Sequence, residues 1–324
     1  MNYSAMEPEP EDEEQARAAA AAAEAQGEST AADARVDVAG HEVSANSTAL
    51  DVSGWGLAAA QVREVAGALP QLFYLQELVL DGVPVSGTTP RRGDFRRGVE
   101  TLDANLDMFR VLCEALRALQ GLTSLSLGGC YLGPKALALL AEVVFRDASA
   151  ALTRVSVLSN PIGADGADAL IQVFNKNTKL RTLLGIEEGV TELNLSKKNV
   201  DPGQAKILAA ELQASRATAA VKKVALSGNP LTGGKPNYLG DGKYAQTDGK
   251  DISGVSVLFP SMTQVTELDV SDCGLGPTSM PELAKLVRDA TAAIARLSLS
   301  GNKLGCGAPV KDYMKSVGLD AWYQ

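Results

Sequence analysis

An eleven-residue pattern, LxxLxLxx(N/C)xL, returns eight times between Ser47 and Leu304. LTSLSLGGCYL from Leu122 and VTELDVSDCGL from Val265 match it closely. LTRVSVLSNPI from Leu152, VKKVALSGNPL from Val221 and IARLSLSGNKL from Ile294 carry Asn at the ninth place. STALDVSGWGL from Ser47, LQELVLDGVPV from Leu75 and VTELNLSKKNV from Val190 are looser versions. Positions 4 and 6 alternate with their neighbours, which is strand periodicity, and they face one side together with positions 1 and 11. The ninth residue ends the strand. A buried Asn there can hydrogen-bond the backbone of the bend and of the neighbouring turn; Cys can replace it as a small apolar residue with a weak donor. One such unit cannot bury its apolar face alone, so the units must stack on a shared core.

Between the strand patterns, apolar residues recur at helical spacing. This predicts helices over 58–69, 102–119, 134–145, 164–174, 202–212 and 277–287. Pro134, Pro202 and Pro277 follow Gly or Asp, which suits a first helical turn. The undisturbed unit steps are 28, 30, 31 and 29 residues, room for a strand, a turn and a helix. Taken together, these motifs resemble the ribonuclease-inhibitor type of leucine-rich repeat protein. The resemblance covers 47–304 and implies an α/β solenoid, a horseshoe with parallel strands inside and helices outside. The junction LLGIEEGVTELNLSKKNV also resembles leucine-rich repeat proteins of algae and other protists.

The array is itself duplicated. Unit starts 47, 75, 122 and 152 map onto 190, 221, 265 and 294 with offsets of 143, 146, 143 and 142 residues. GCYLGPKALALLAEVV pairs with DCGLGPTSMPELAKLV, and Cys130 with Cys273. The reading is eight repeats in two tandem four-repeat blocks, 47–180 and 190–317, their strands forming one parallel sheet. A spacer, KLRTLLGIEEG, separates the blocks. Each block has one insertion after its second unit, SGTTPRRGDFRRGVET from Ser86 and TGGKPNYLGDGKYAQTDGK from Thr232. Both are Gly-rich, polar and basic, and both are expected to be loops leaving one edge of the array.

Composition adds limits. Hydrophobic residues are 45% and aromatic residues 5%, so the core must be built from Leu, Val, Ile and Ala. Of the net charge of −9, most sits in 1–35, which hold nine acids and two bases. Residues 1–33, with six consecutive alanines from Ala18 to Ala23, are expected to form a mobile acidic tail with few core contacts. A single domain spans 34–324, with 311–324, bearing Tyr313, Met314, Trp322 and Tyr323, as its C-terminal cap. No run of about 18 apolar residues points to a membrane span. The acidic start fits neither a secretory signal nor a transit peptide, so a cytoplasmic place or one in an intracellular assembly is expected. The cysteines Cys113, Cys130, Cys273 and Cys306 form no CxxC pair and read as free thiols.

Site chemistry is sparse. With His41 alone, no His-ligated metal cluster or His pair can be built. The Gly-Lys pairs at 234–235, 242–243 and 249–250 lack the rest of a P-loop, and no GxGxxG follows a strand. Arg92-Gly93-Asp94 reads as a chance tripeptide. No enzyme activity, cofactor, metal or small-molecule substrate is therefore expected. Nucleic acid is not an expected partner for an acidic chain without aromatic stacking platforms.

Strand positions 3, 5 and 7 should line the inside of the array, giving a Ser-rich surface of mixed charge without an aromatic residue. Tight interfaces use Trp, Tyr or Arg anchors. The candidate partner-binding residues are therefore in the insertions: Arg91, Arg92, Phe95, Arg96 and Arg97 in the first, and Tyr238, Lys243 and Tyr244 in the second. Arg forks suit carboxylates and phosphates. The function read from this is non-catalytic protein binding, as a scaffold, adaptor or inhibitor. The alternative is a GTPase activator, since some arrays of the resembled type act so; no activating residue maps onto this sequence.

Overall fold

The computed structural model describes residues 34–90, 99–145, 151–234, 236–240, 243–246, 249, 251–289 and 294–304. The tail 1–33 and the cap 311–324 lie outside them. The first element is unforeseen in the sequence: a hairpin of β1 (Arg35–Val38) and β2 (His41–Ser44). Its turn, Ala39-Gly40, has positive φ at both residues, 52° and 86°, matching the twist of a two-residue hairpin. Val36 and Val38 point into the core, so the hairpin covers the open end of the array. His41 stacks on Trp55, ring centroids 4.0 Å apart, which gives the lone histidine a packing role.

The repeat follows in chain order as β3 (Ala49–Asp51), α1 (Val62–Ala68), β4 (Glu77–Val79), β5 (Thr89–Pro90), β6 (Val99–Thr101), α2 (Leu106–Ala118), β7 (Ser124–Ser126), α3 (Pro134–Val143), β8 (Arg154–Ser156) and α4 (Gly163–Lys176). The second block gives β9 (Glu192–Asn194), α5 (Pro202–Ala214), β10 (Lys223–Ala225), β11 (Pro236–Gly240), β12 (Lys243–Gln246), α6 (Ser253–Ser261), β13 (Glu267–Asp269), α7 (Met280–Asp289) and β14 (Arg296–Ser298). Each repeat strand occupies positions 3 to 5 of its unit. Position 4 is buried in all eight, from Leu50 to Leu297. Position 11 is likewise buried throughout, from Leu57 to Leu304. One cluster of apolar side chains runs from Val36 to Leu304 between strands and helices. Each buried Leu or Val stabilises by about 1.5–3 kcal/mol through removal from water.

The ninth-position residues tie each unit to the one before. Asn160 Nδ2 donates to the carbonyls of Leu127 (2.7 Å) and Val157 (3.0 Å), and its Oδ1 accepts from Leu132 N (3.0 Å). Asn229 does the same with Leu195 (2.8 Å), Leu226 (2.7 Å) and Val200 N (3.0 Å). Asn302 repeats it with Val270, Leu299 and Leu275 N. Cys130 and Cys273 each keep the thiol-to-carbonyl bond to the previous unit, to Leu80 at 3.0 Å and Leu226 at 3.1 Å. Both are free and buried, as is Cys113; Cys306 lies outside the described residues.

The expected single sheet is corrected. Among the described residues the repeat strands form two parallel four-stranded sheets, β3-β4-β7-β8 and β9-β10-β13-β14. The spacer lies along β8, with Val155 N donating to Thr182 O (3.0 Å) and Val157 N to Leu183 O (2.9 Å). On its far side the carboxylate of Glu211, from α5, accepts from Leu183 N (2.6 Å) and Leu184 N (2.9 Å). Those N–H groups would otherwise be offered to a further strand, so the ladder stops. The helix layer does not stop: α4 packs on α5 as consecutive helices do within a block. Arg216 fastens the junction, its Nη1 capping the end of α4 at the carbonyls of Phe174 and Asn177 and that of Leu180 in the spacer.

The expected helices are present with shifted ends. The stretch 58–69 is split into a 3₁₀ turn, α1 and a second 3₁₀ turn, and α2 begins at Leu106 because Asn105 caps it, Oδ1 accepting from Met108 N at 3.0 Å. The helix α6 was not expected.

Candidate partner-binding surfaces

Two surfaces stand out: the arms formed by the insertions, and the strand faces turned away from the helices. The insertions are not loops throughout. β5 and β6 form an antiparallel ribbon, Thr89 opposite Thr101 and Pro90 opposite Val99. β11 and β12 form another, with Pro236 opposite Gln246 and Tyr238 opposite Tyr244.

Both arms have the same root. Ser86 O accepts from Asn105 N (2.8 Å), and Thr232 O from Asp251 N (3.3 Å). Gly87 and Gly233 follow with φ of 67° and 70°. At Gly87 a side chain would also strike Asn105, 2.7 Å away. A buried threonine hydroxyl closes each root. Thr88 Oγ1 donates to Tyr131 O (3.0 Å) and accepts from Asp103 N (3.0 Å). Thr232 Oγ1 donates to Gly274 O (2.6 Å) and accepts from Gly249 N (3.1 Å). Tyr131 and Gly274 are both tenth-position residues, so each arm is bolted to the following unit at the same point. The bolt sits two residues later in the first arm, where Ser86 Oγ lies 2.9 Å from Thr88 Oγ1.

Of the sequence-predicted residues, Arg91, Arg92, Phe95, Arg96 and Arg97 lie outside the described residues. Tyr238, Lys243 and Tyr244 lie on the second ribbon, where Lys243 is opposite Gly240. The structure thus brings Tyr238 and Tyr244 together in register.

The strand faces differ between the blocks. On the second sheet, the third-position row reads Glu192, Lys223, Glu267 and Arg296 across adjacent strands. Lys223 Nζ lies 2.8 Å from Glu192 and 3.8 Å from Glu267, and Arg296 lies 3.2 Å from Glu267. The hydrogen bond that Lys223 donates to Glu192, reinforced by the carboxylate's charge, holds the Lys223 ammonium above the ordinary lysine range. On the first sheet the row reads Ala49, Glu77, Ser124 and Arg154. Arg154 leans on the spacer: Nε and Nη2 donate to Gly185 O at 3.2 and 2.9 Å, and Nη2 lies 3.4 Å from Glu187. Gly185, with φ of 70°, comes so close to Ser156 that a side chain would meet its Cβ at 2.9 Å. The spacer therefore walls one end of a depression of about 260 Å³ on this face.

Sequence reasoning also missed an exposed aromatic pair, Phe73 and Tyr74, 77% and 61% exposed in the turn before β4. The signal was available, because the same turn holds Gln120-Gly121 and Thr263-Gln264 in other units. Among the described residues no group of three or more His, Cys, Asp or Glu side chains could hold a metal ion, and no helix is long and apolar enough to cross a membrane.

No family model and no curated protein matches this chain. Among solved structures the chain is similar to an internalin (inlF) from Listeria monocytogenes, at 15% identity and a TM-score of 0.25, over 78% of this chain and 73% of that one. At that score the likeness carries no argument. The repeat rests instead on the strand registers and the ninth-position bonds described above.

Proposed function

We propose that the chain is a non-catalytic protein-interaction module, a horseshoe solenoid of eight leucine-rich repeats of the ribonuclease-inhibitor type. It acts as a scaffold, adaptor or inhibitor within the cytoplasm or an intracellular assembly. The partner is held by the two arms. The observation that carries this reading is the pair of matching arm roots. Long insertions in a compact array are functional or disordered. Here buried hydroxyls fix both insertions to the core at equivalent points, which suits two prongs with set positions. The first prong carries the Arg run and the second the Tyr and Lys residues.

The test is affinity capture from the native source with three variants. One replaces Arg91, Arg92, Arg96 and Arg97 with Ser; one replaces Tyr238 and Tyr244 with Ala; the third replaces Glu267 and Asp269, on the second sheet, with Ala. Loss of the captured protein in either arm variant, with retention in the third, supports the reading. Retention in both arm variants rejects it.

A further inference from the structure

We infer that the open face of the first sheet docks a positively charged segment of a protein partner, seating a Lys or Arg side chain between Glu77 and Asp81. This surface is separate from the arms, and the inference goes beyond the function proposed for them.

The duplication gives each strand of the first sheet a counterpart on the second. In the second block every charge of the third-position row has a partner within the row. Lys223 is the counterpart of Glu77, and Glu267 that of Ser124. With those two exchanged, the first block's row loses its internal pairing. Glu77 lies between the neutral Ala49 and Ser124 in register. Arg154 is two strands away, on the order of 10 Å, and is occupied by Gly185 and Glu187. Among the described residues no cation pairs with Glu77 or Asp81.

Asp81 is oriented for use. Its Oδ1 accepts from Ser126 Oγ and from Gly128 N, both at 2.6 Å. Oδ2 makes no hydrogen bond among the described residues. A solvated acidic surface needs no concavity, but this one lines the 260 Å³ depression together with Val79, Leu158 and Leu184. Lys and Arg have an apolar stem that lies along such surfaces and a cationic head that pairs with carboxylates. The hydroxyls of Ser124 and Ser156 can accept the donors the carboxylates leave over. An acidic or neutral side chain would leave both carboxylates unpaired, so charge selects the occupant. The concave floor, which looks poorly equipped from its lack of aromatics, is thus equipped by charge on one sheet and self-neutralised on the other.

The test uses the full chain and two fluorescent peptides, one of alternating Gly and Arg, the other with citrulline in place of Arg. The Arg peptide is expected to bind at least roughly tenfold tighter than its neutral isostere. Glu77→Gln with Asp81→Asn should weaken it roughly tenfold and flatten its dependence on salt from about 50 to about 200 mM. Asn at position 81 keeps the oxygen that accepts from Ser126 and Gly128, and an unchanged melting temperature shows that the fold is intact. Glu192→Gln with Glu267→Gln makes the same change in net charge on the second sheet and should alter affinity less than about twofold. Equal losses in the two double variants would reveal only general attraction to an acidic chain, and the inference falls. It also falls if neither variant weakens binding. A gain of roughly tenfold on replacing Arg91, Arg92, Arg96 and Arg97 with Ser would show the chain's own arm seated on the face, and overturns it too.

Discussion

The hydroxyl of Thr182 donates to Glu211 Oε2 at 2.9 Å, at the place where the first sheet ends. Thr182 Oγ1 in turn accepts from Leu184 N (3.1 Å) and Ile186 N (3.0 Å). With both its acceptor sites used, its hydrogen must point to the carboxylate. Glu211 is thereby surrounded by donors: one hydroxyl and two backbone N–H groups. By accepting from them, the carboxylate does for the spacer what a ninth strand would do, and the two blocks are joined through a side chain instead of a ladder.

That carboxylate makes stability depend on pH. Burial pushes its pKa up to about 7 from an ordinary 4.5, against the pull of the Leu183, Thr182 and Leu184 donors. Among the described residues no charged group contributes to the shift. The folded state thus holds a proton between about 4.5 and about 7 that the unfolded state has released. Its contribution is full below 4.5 and is lost as pH rises to 7, on the order of 3 kcal/mol in all. Glu211→Gln cannot titrate. The stability advantage of the native chain over this variant, from urea unfolding, should shrink between pH 5 and pH 7.5. An advantage that is flat or grows would contradict this.

The ninth-position bonds predict a graded series at Asn229. Ala there leaves the buried Val200 N–H without its acceptor and takes the amide donor away from the Leu195 and Leu226 carbonyls, three lost bonds that should cost about 2–4 kcal/mol. Cys at the same place can keep the bond to the previous unit, as Cys273 does to Leu226. Asn229→Cys should therefore lose clearly less than Asn229→Ala in urea unfolding. Equal losses would mean that the bond to the previous unit adds little.

How much of this was legible follows from where the information sits. The strands were legible because Leu50, Leu78 and their counterparts fall on a fixed local period. The sheet break was not: Glu211 reads as an ordinary charged residue on a helix, and nothing local says that it faces inward to Thr182. The helix α6 escaped because it is nine residues long and holds Pro260, which argues against a helix interior. The second arm's ribbon had a signal, Asp241-Gly242 between two Tyr-bearing runs, the composition of a tight hairpin turn. The unequal charge of the two faces could be read from third-position residues only once adjacent units were set side by side. Lys223 and Glu267 are 44 residues apart in sequence and paired in space.

Burial makes the repeat cysteines unreactive. It pushes the thiols of Cys113 and Cys273 up to about 12, and that of Cys130 higher still. Under native conditions all three should resist a thiol reagent for as long as the array stays folded, and react together on adding urea. Rapid labelling of Cys130 or Cys273 at neutral pH would show that the unit boundary opens locally.

The arm roots give the last expectation. Thr88→Val and Thr232→Val keep the shape of the side chain and remove only the hydroxyl. In each case a carbonyl of the next unit, Tyr131 or Gly274, and a backbone N–H, Asp103 or Gly249, lose the bond to the hydroxyl. Each root should be weakened by about 1–3 kcal/mol, the cost of two lost hydrogen bonds whose groups are at least partly buried. The roots lie at the edge of the core and the apolar cluster is untouched, so the effect belongs to the arm. Opening of the arm should rise roughly five- to a hundredfold, since each 1.4 kcal/mol is about tenfold. Limited trypsin digestion reads this directly, because the first arm holds four arginines and the second holds Lys243. Cleavage should accelerate in the arm whose threonine is replaced and stay unchanged in the other. Global unfolding in urea should move far less than it does for Asn229→Ala. If both arms are cleaved at the native rate, the hydroxyls do not set the arms in place, and the two-pronged reading loses its support.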